Sequence, residues 1–172
     1  MDETGNLELQ LSVDSQSVPR VVGACVYTVL CSVLWVNAGV PTECRTDVIF
    51  MVDSSGSIRS SHYSLMETFI SELVAELPID TAVSRVGLVT FRHRVGRRFY
   101  LADHSTVAAV QTAVSNALTN PRGWTRTDRA MRFVRRRMLT TAAGDRSTVP
   151  NVVVLLTDGR STFPRFTQVI ST

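Results

Sequence analysis

The sequence predicts an α/β protein with a mainly parallel central sheet and helices on both faces. Three observations lead there. Apolar, β-branched runs occur over Val48–Val52, Ser84–Phe91 and Asn151–Leu156, and short runs of this kind read as strands buried on both faces. The segments between them place apolar residues at helical spacing. Strands that alternate with helices imply a parallel sheet covered on each side. The 172 residues leave room for one domain.

Taken in order, residues 1–20 are polar and acidic without a sustained period, and are expected to be disordered or a leader. Residues 21–38 form an uncharged apolar stretch that succeeds Arg20. It reads as the hydrophobic region of a signal peptide, with Val36-Asn37-Ala38 offering the small-residue spacing of a cleavage site. A signal anchor is the second reading, because the uncharged run approaches the ~20 residues that span a bilayer. Both readings export the chain beyond residue 40. A buried element of a soluble fold is the third. Residues 39–45 are the linker, and the domain occupies 46–172.

The strand Val48–Val52 runs into Asp53-Ser54-Ser55-Gly56-Ser57. Ser60 or Ser61 can cap a helix that runs to about Leu77, with apolar residues at 65, 66, 69, 70, 73, 74 and 77, and Pro78 stops it. Ser84–Phe91 is the second strand. A third, over Arg97–Leu101, is expected to pair with it as an antiparallel edge hairpin. Ser105 or Thr106 caps a helix to about Leu118 with Val107, Val110, Val114 and Leu118 inward. Asn120–Thr127 is a loop by its Pro, Gly and hydroxyl content. Thr127 and Asp128 then open a helix to about Leu139, with Ala130, Met131, Val134 and Met138 inward and arginines at 129, 132, 135, 136 and 137 on a solvated face. The strand Asn151–Leu156 ends in Thr157-Asp158-Gly159.

Composition excludes more than it selects. All 18 basic residues are arginine, so the lysine of a phosphate-binding P-loop is missing. Neither Gly-x-Ser-x-Gly nor Gly-x-Gly-x-x-Gly occurs, and His62, His93 and His104 stand beside no evident nucleophile. No enzymatic activity is expected. Residues 41–172 hold 17 arginines against 11 acids, a net of +6, yet no aromatic platform or recognition motif for nucleic acid accompanies them. Cys25, Cys31 and Cys44 form no Cys-x-x-Cys or zinc spacing.

The chemistry gathers on three loops. The first offers Asp53, Ser55 and Ser57, the second Thr125 with Thr127 nearby, and the third Asp158. Open α/β sheets bind ligands at the carboxyl ends of their strands. Hard cations take oxygen donors and retain water, with only one or two protein carboxylates in the case of Mg²⁺. Two carboxylates and three hydroxyls suit such an ion. Each residue also has a plain structural use: Asp53 in a turn, the serines and threonines as helix caps, Thr-Asp-Gly as a turn. Jointly they favour the metal.

The segments DVIFMVDSSGSI, RVGLVTF, GWTRTDRAMRFV and PNVVVLLTDG resemble a von Willebrand factor type A domain over about residues 46–165, and most of all the A domains of matrix proteins of the collagen and matrilin types. The resemblance implies that family's Rossmann-like fold. It also implies a metal ion-dependent adhesion site formed by Asp53, Ser55, Ser57, Thr125 and Asp158, with Mg²⁺ as the first expectation and Mn²⁺ or Ca²⁺ as others. An acidic residue of an extracellular protein partner would complete the metal shell, in a secreted or matrix setting. A membrane is involved only if residues 21–40 are an anchor. The alternative is a structural assembly module that binds partners without metal. The resemblance further implies that the C-terminal third of the domain lies beyond Thr172, that Cys44 would pair with a cysteine there, and that this chain alone is poorly stable.

Overall fold

Strand β2, Thr46–Asp53, is the centre of the sheet, and every one of its residues is buried. The computed structural model describes residues 8–13, 45–56, 58, 60–118 and 124–157. In chain order the elements are β1 (Glu8–Val13), β2, α1 (Ser60–Glu76), β3 (Ser84–Phe91), β4 (Val95–Phe99), α2 (Val107–Ala117), α3 (Thr127–Phe133) and β5 (Asn151–Thr157). The sheet order is β1-β5-β2-β3-β4. Strands β3 and β5 flank β2 in parallel, whereas β4 and β1 close the two edges antiparallel. This is the mainly parallel, helix-covered sheet that the sequence predicts.

The two faces of β2 feed two cores. Val48, Phe50 and Val52 pack with Tyr63, Met66, Ile70 and Val74 of α1 and Val110 and Val114 of α2. Ile49 and Met51 face the other way, onto Ala130 of α3 and Val134 and Met138 of the turn that follows it. The alternation reflects the period of two along a strand. Gly87 of β3 lets the second layer come close. A Cβ there would stand 3.3 Å from Met138 Cε and 3.3 Å from the Phe99 carbonyl oxygen.

Several local expectations are corrected. Leu65, placed on the inward stripe of α1, is 61% exposed; the buried line is Tyr63, Met66, Ile70 and Val74. Helix α1 begins at Ser60, so Ser61 lies inside it. Strand β4 starts at Val95, two residues before the expected Arg97, and the turn is formed by residues 92–94. Leu101, expected to end that strand, is a buried core residue past it. Thr106 caps α2 as expected, its hydroxyl accepting from the Ala109 N–H at 3.2 Å. Helix α3 is α-helical only to Phe133 and continues as one π-helical turn, Val134–Met138. Residues 8–13, expected within a disordered or leader stretch, pair with β5 from Glu8–Thr157 to Val13–Val152. Residues 14–44, with the signal or anchor stretch and all three cysteines, lie outside the described residues. Among those described, no helix is long and apolar enough to cross a membrane.

Candidate metal centre at the carboxyl end of the sheet

Asp53 is the last residue of β2 and is fully buried. Its carboxylate is held from two sides. The Ser55 N–H donates to Oδ1 at 2.8 Å, the local turn expected of an aspartate two residues earlier. The Thr157 hydroxyl donates to Oδ2 at 2.9 Å. Thr157 reaches it because Val52 pairs with Leu156 in parallel register, which brings the next residue of each strand to one level.

The end of β3 anchors the other loops. Ser54 donates to the Phe91 carbonyl through its N–H (2.6 Å) and its hydroxyl (2.9 Å). The Arg126 N–H donates to the neighbouring Arg92 carbonyl at 3.0 Å. Two successive carbonyls of one strand end therefore position the loop that carries Ser55 and the loop that carries Thr125. Both residues are buried, at 1% and 3% exposed. Neither Thr125 nor Thr127 occupies the N-cap of α3; Arg126 does, without a side-chain cap bond. The capping role that sequence allowed for both threonines is thus not the one they have.

Tyr63 closes the floor, its hydroxyl donating to the Asp53 carbonyl at 3.1 Å. Burial, and secondarily the nearby Asp53 charge, raises the phenol pKa, so the ring stays a neutral donor at all ordinary pH. Beside Thr125, Arg126 makes a forked pair with Asp128, Nε to Oδ1 at 2.7 Å and Nη2 to Oδ2 at 2.8 Å. Those hydrogen bonds hold the Asp128 carboxyl below the usual carboxylate range. Asp128 is consequently engaged in fixing the loop.

Of the five residues expected to hold a metal, the structure brings Asp53, Ser55 and Thr125 to one end of the sheet; Ser57 and Asp158 lie outside the described residues. The donors fit a hard cation: one buried, oriented carboxylate and hydroxyl oxygens, with no sulfur or imidazole. Among the described residues no group of three or more His, Cys, Asp or Glu stands together. Sequence reasoning did not single out Thr157, Ser54 and Tyr63. Thr157 was reachable by aligning β2 with β5, since both strands end in polar residues at one level. The bonds of Ser54 and Tyr63 go to main-chain carbonyls, which leave no sequence pattern.

A parallel sheet with helices on both faces and oxygen donors at its carboxyl end defines an open α/β ligand-binding module. The family is then given by comparison with known proteins. Residues 47–172 match the family model of the von Willebrand factor type A domain, and the chain belongs to that family. It is 36% identical over 120 residues to human von Willebrand factor A domain-containing protein 1, covering 70% of this chain and 27% of that protein. Human matrilin-1 is 32% identical over 116 residues, covering 67% and 23%. The chain thus spans about a quarter of the length of these relatives. Among solved structures, proximal thread matrix protein 1 from the mussel byssus is similar with a TM-score of 0.64 and 26% identity, covering 70% of this chain and 32% of that one. Another structure of that mussel protein, with a zinc-occupied MIDAS motif, has a TM-score of 0.51 and 24% identity over 57% of this chain and 26% of that one, and bears on the fold alone.

Proposed function

We propose that this domain is a non-catalytic adhesion module that binds an extracellular matrix protein through a divalent cation. Asp53, Ser55, Ser57, Thr125 and Asp158 would hold the ion, and Mg²⁺ is the first candidate. The bound ion would supply a Lewis-acidic position for an acidic side chain of the partner. The chain's own part is to hold the donors still. Thr157 and the Ser55 N–H fix the Asp53 carboxylate, and the Phe91 and Arg92 carbonyls fix the loops that bear Ser55 and Thr125. Neutral hydroxyls withdraw little of the cation's charge, which favours an incoming carboxylate.

The observation that carries this reading is the buried Asp53 carboxylate, oriented by two donors next to two buried hydroxyl residues. The names of the relatives, matrilins and a thread matrix protein, support a matrix setting. Calorimetric titration of the chain with Mg²⁺ and Mn²⁺ tests it. Saturable binding that Asp53→Ala abolishes is expected; equal binding by wild type and D53A would refute the site.

A further inference from the structure

Trp124 lies on the rim of the candidate metal centre. It is 72% exposed, and with Leu65 it is one of two large hydrophobic residues exposed among those described. The next residue, Thr125, is 3% exposed and belongs to the proposed donor set. One peptide unit thus joins an open indole to a buried hydroxyl residue. Among the described residues, the indole enters neither a ring pair nor a cation–π contact.

The main chain just past Trp124 is held at several points. The Arg126 N–H is bonded to the Arg92 carbonyl at 3.0 Å, and the Arg126 guanidinium is forked onto Asp128. Arg129 Nη1 donates to the His93 carbonyl at 3.3 Å, which ties the turn after β3 to the start of α3. A single exposed aliphatic residue needs no explanation, and Leu65 on α1 is of that kind. An indole beside a binding centre is different. It offers a large, flat contact surface with few rotatable bonds, and tryptophan is enriched among the residues that dominate binding energy.

We propose that Trp124 is a specificity-determining contact of this centre, and that its indole stacks on an aromatic side chain next in sequence to the partner's metal-bound acidic residue. The assignment rests on the cation-dependent binding proposed above. Spacing selects the neighbouring residue. Consecutive Cα atoms are about 3.8 Å apart in any trans chain, so a partner residue one place from the carboxylate is level with the residue one place from Thr125. Charge selects the kind of residue. A cation can also stack on an indole, but Arg92 and Arg94 are exposed on the turn bonded to this loop and repel one. An aliphatic side chain would only bury area there, whereas an aromatic ring adds the offset-stacked or edge-to-face contact.

Short capped peptides test the assignment: one with a single Glu followed by Phe, one with Glu preceded by Phe, and matched peptides in which Ala, Leu or Lys replaces the Phe. The full chain is titrated with each in Mg²⁺ and in chelator, and Mg²⁺ binding alone is measured by calorimetry. Wild type should bind the better Phe peptide about three- to tenfold more tightly than its Ala counterpart, and only in Mg²⁺. Trp124→Ala should keep the circular dichroism spectrum and the Mg²⁺ affinity of wild type but bind the Phe and Ala peptides alike. Trp124→Phe should retain part of the preference. Equal binding of Phe and Ala peptides by wild type, a Leu or Lys peptide that matches the Phe peptide, or a Phe preference that survives in Trp124→Ala would overturn the assignment and leave the metal centre standing. Failure of wild type to bind Mg²⁺, or to bind any of the peptides in its presence, would instead refute the adhesion reading itself, and the assignment with it.

Discussion

Arg146 holds Asp47 across 99 residues of chain, donating to Oδ2 from its main-chain N–H (3.1 Å) and to Oδ1 from its guanidinium (3.0 and 2.6 Å). Asp47 is fully buried at the start of β2, about 20 Å along the strand from Asp53. The same guanidinium donates to the carbonyls of Ala82 and Val83 at 2.8 and 3.0 Å. One side chain thus ties the entries of β2 and β3 to the loop before β5. Arg146→Met would leave a buried carboxylate without its cation, a loss of about 3 kcal/mol or more. Urea unfolding should show the lower midpoint, while Mg²⁺ affinity of the folded variant stays unchanged.

Asp128 offers a pH test. Its folded-state pKa lies below the ordinary carboxylate value because Arg126 hydrogen-bonds the charged form. A group of that kind contributes stability above its unfolded pKa and loses it as pH falls through the folded one. Asp128→Asn should therefore lower the thermal midpoint at about pH 7, well above that window. The gap to wild type should narrow below about pH 4, where the unfolded carboxyl takes up its proton. A gap that persists unchanged at low pH would show that packing, and not charge, sets the effect.

Gly144 ends the short 3₁₀ turn of Thr141–Ala143 with φ at +92°. A Cβ there would stand 2.6 Å from the Ala102 nitrogen, closer than real Cβ contacts come. Its carbonyl also accepts from Arg85 Nη1 at 2.7 Å. Gly144→Ala combines backbone strain with a clash against main chain, and about 1–3 kcal/mol of stability should be lost. Chemical denaturation measures it; a change within about 0.5 kcal/mol of zero would mean that the turn moves freely.

Much of this architecture was legible in the residues. Long apolar β-branched runs gave β2, β3 and β5, because a strand buried on both faces admits little else. Asp53, Ser55 and Thr125 were reachable because donors at strand ends have few places to go in an open sheet. What stayed hidden depends on contacts between distant segments. The frame of β4 is set by a register shift against β3 between Val89 and Phe91, which a five-residue polar strand does not announce. Leu65, expected inward, is exposed, whereas Tyr63, outside the expected stripe, is buried with its hydroxyl donating to the Asp53 carbonyl. The strand over Glu8–Val13 alternates polar and apolar residues, a period of two that the reading of residues 1–20 as patternless passed over, and it pairs with the edge of β5.

Thr157 separates positioning from ligation at the proposed metal centre. Its hydroxyl holds Asp53 Oδ2 at 2.9 Å, and it is itself buried at the end of β5. Thr157→Val keeps the shape of the side chain but removes the donor, leaving the carboxylate one orienting bond short. Partners of this kind typically change metal affinity by about 10- to 100-fold. Mg²⁺ and Mn²⁺ titrations of Thr157→Val should therefore show weakened but measurable binding, whereas Asp53→Ala should show none. Thr157→Ser retains the hydroxyl and should restore most of the affinity. Serine and valine variants of equal affinity would mean that Thr157 does no more than fill space and that the orientation of Asp53 rests on its other contacts, the Ser55 N–H among them.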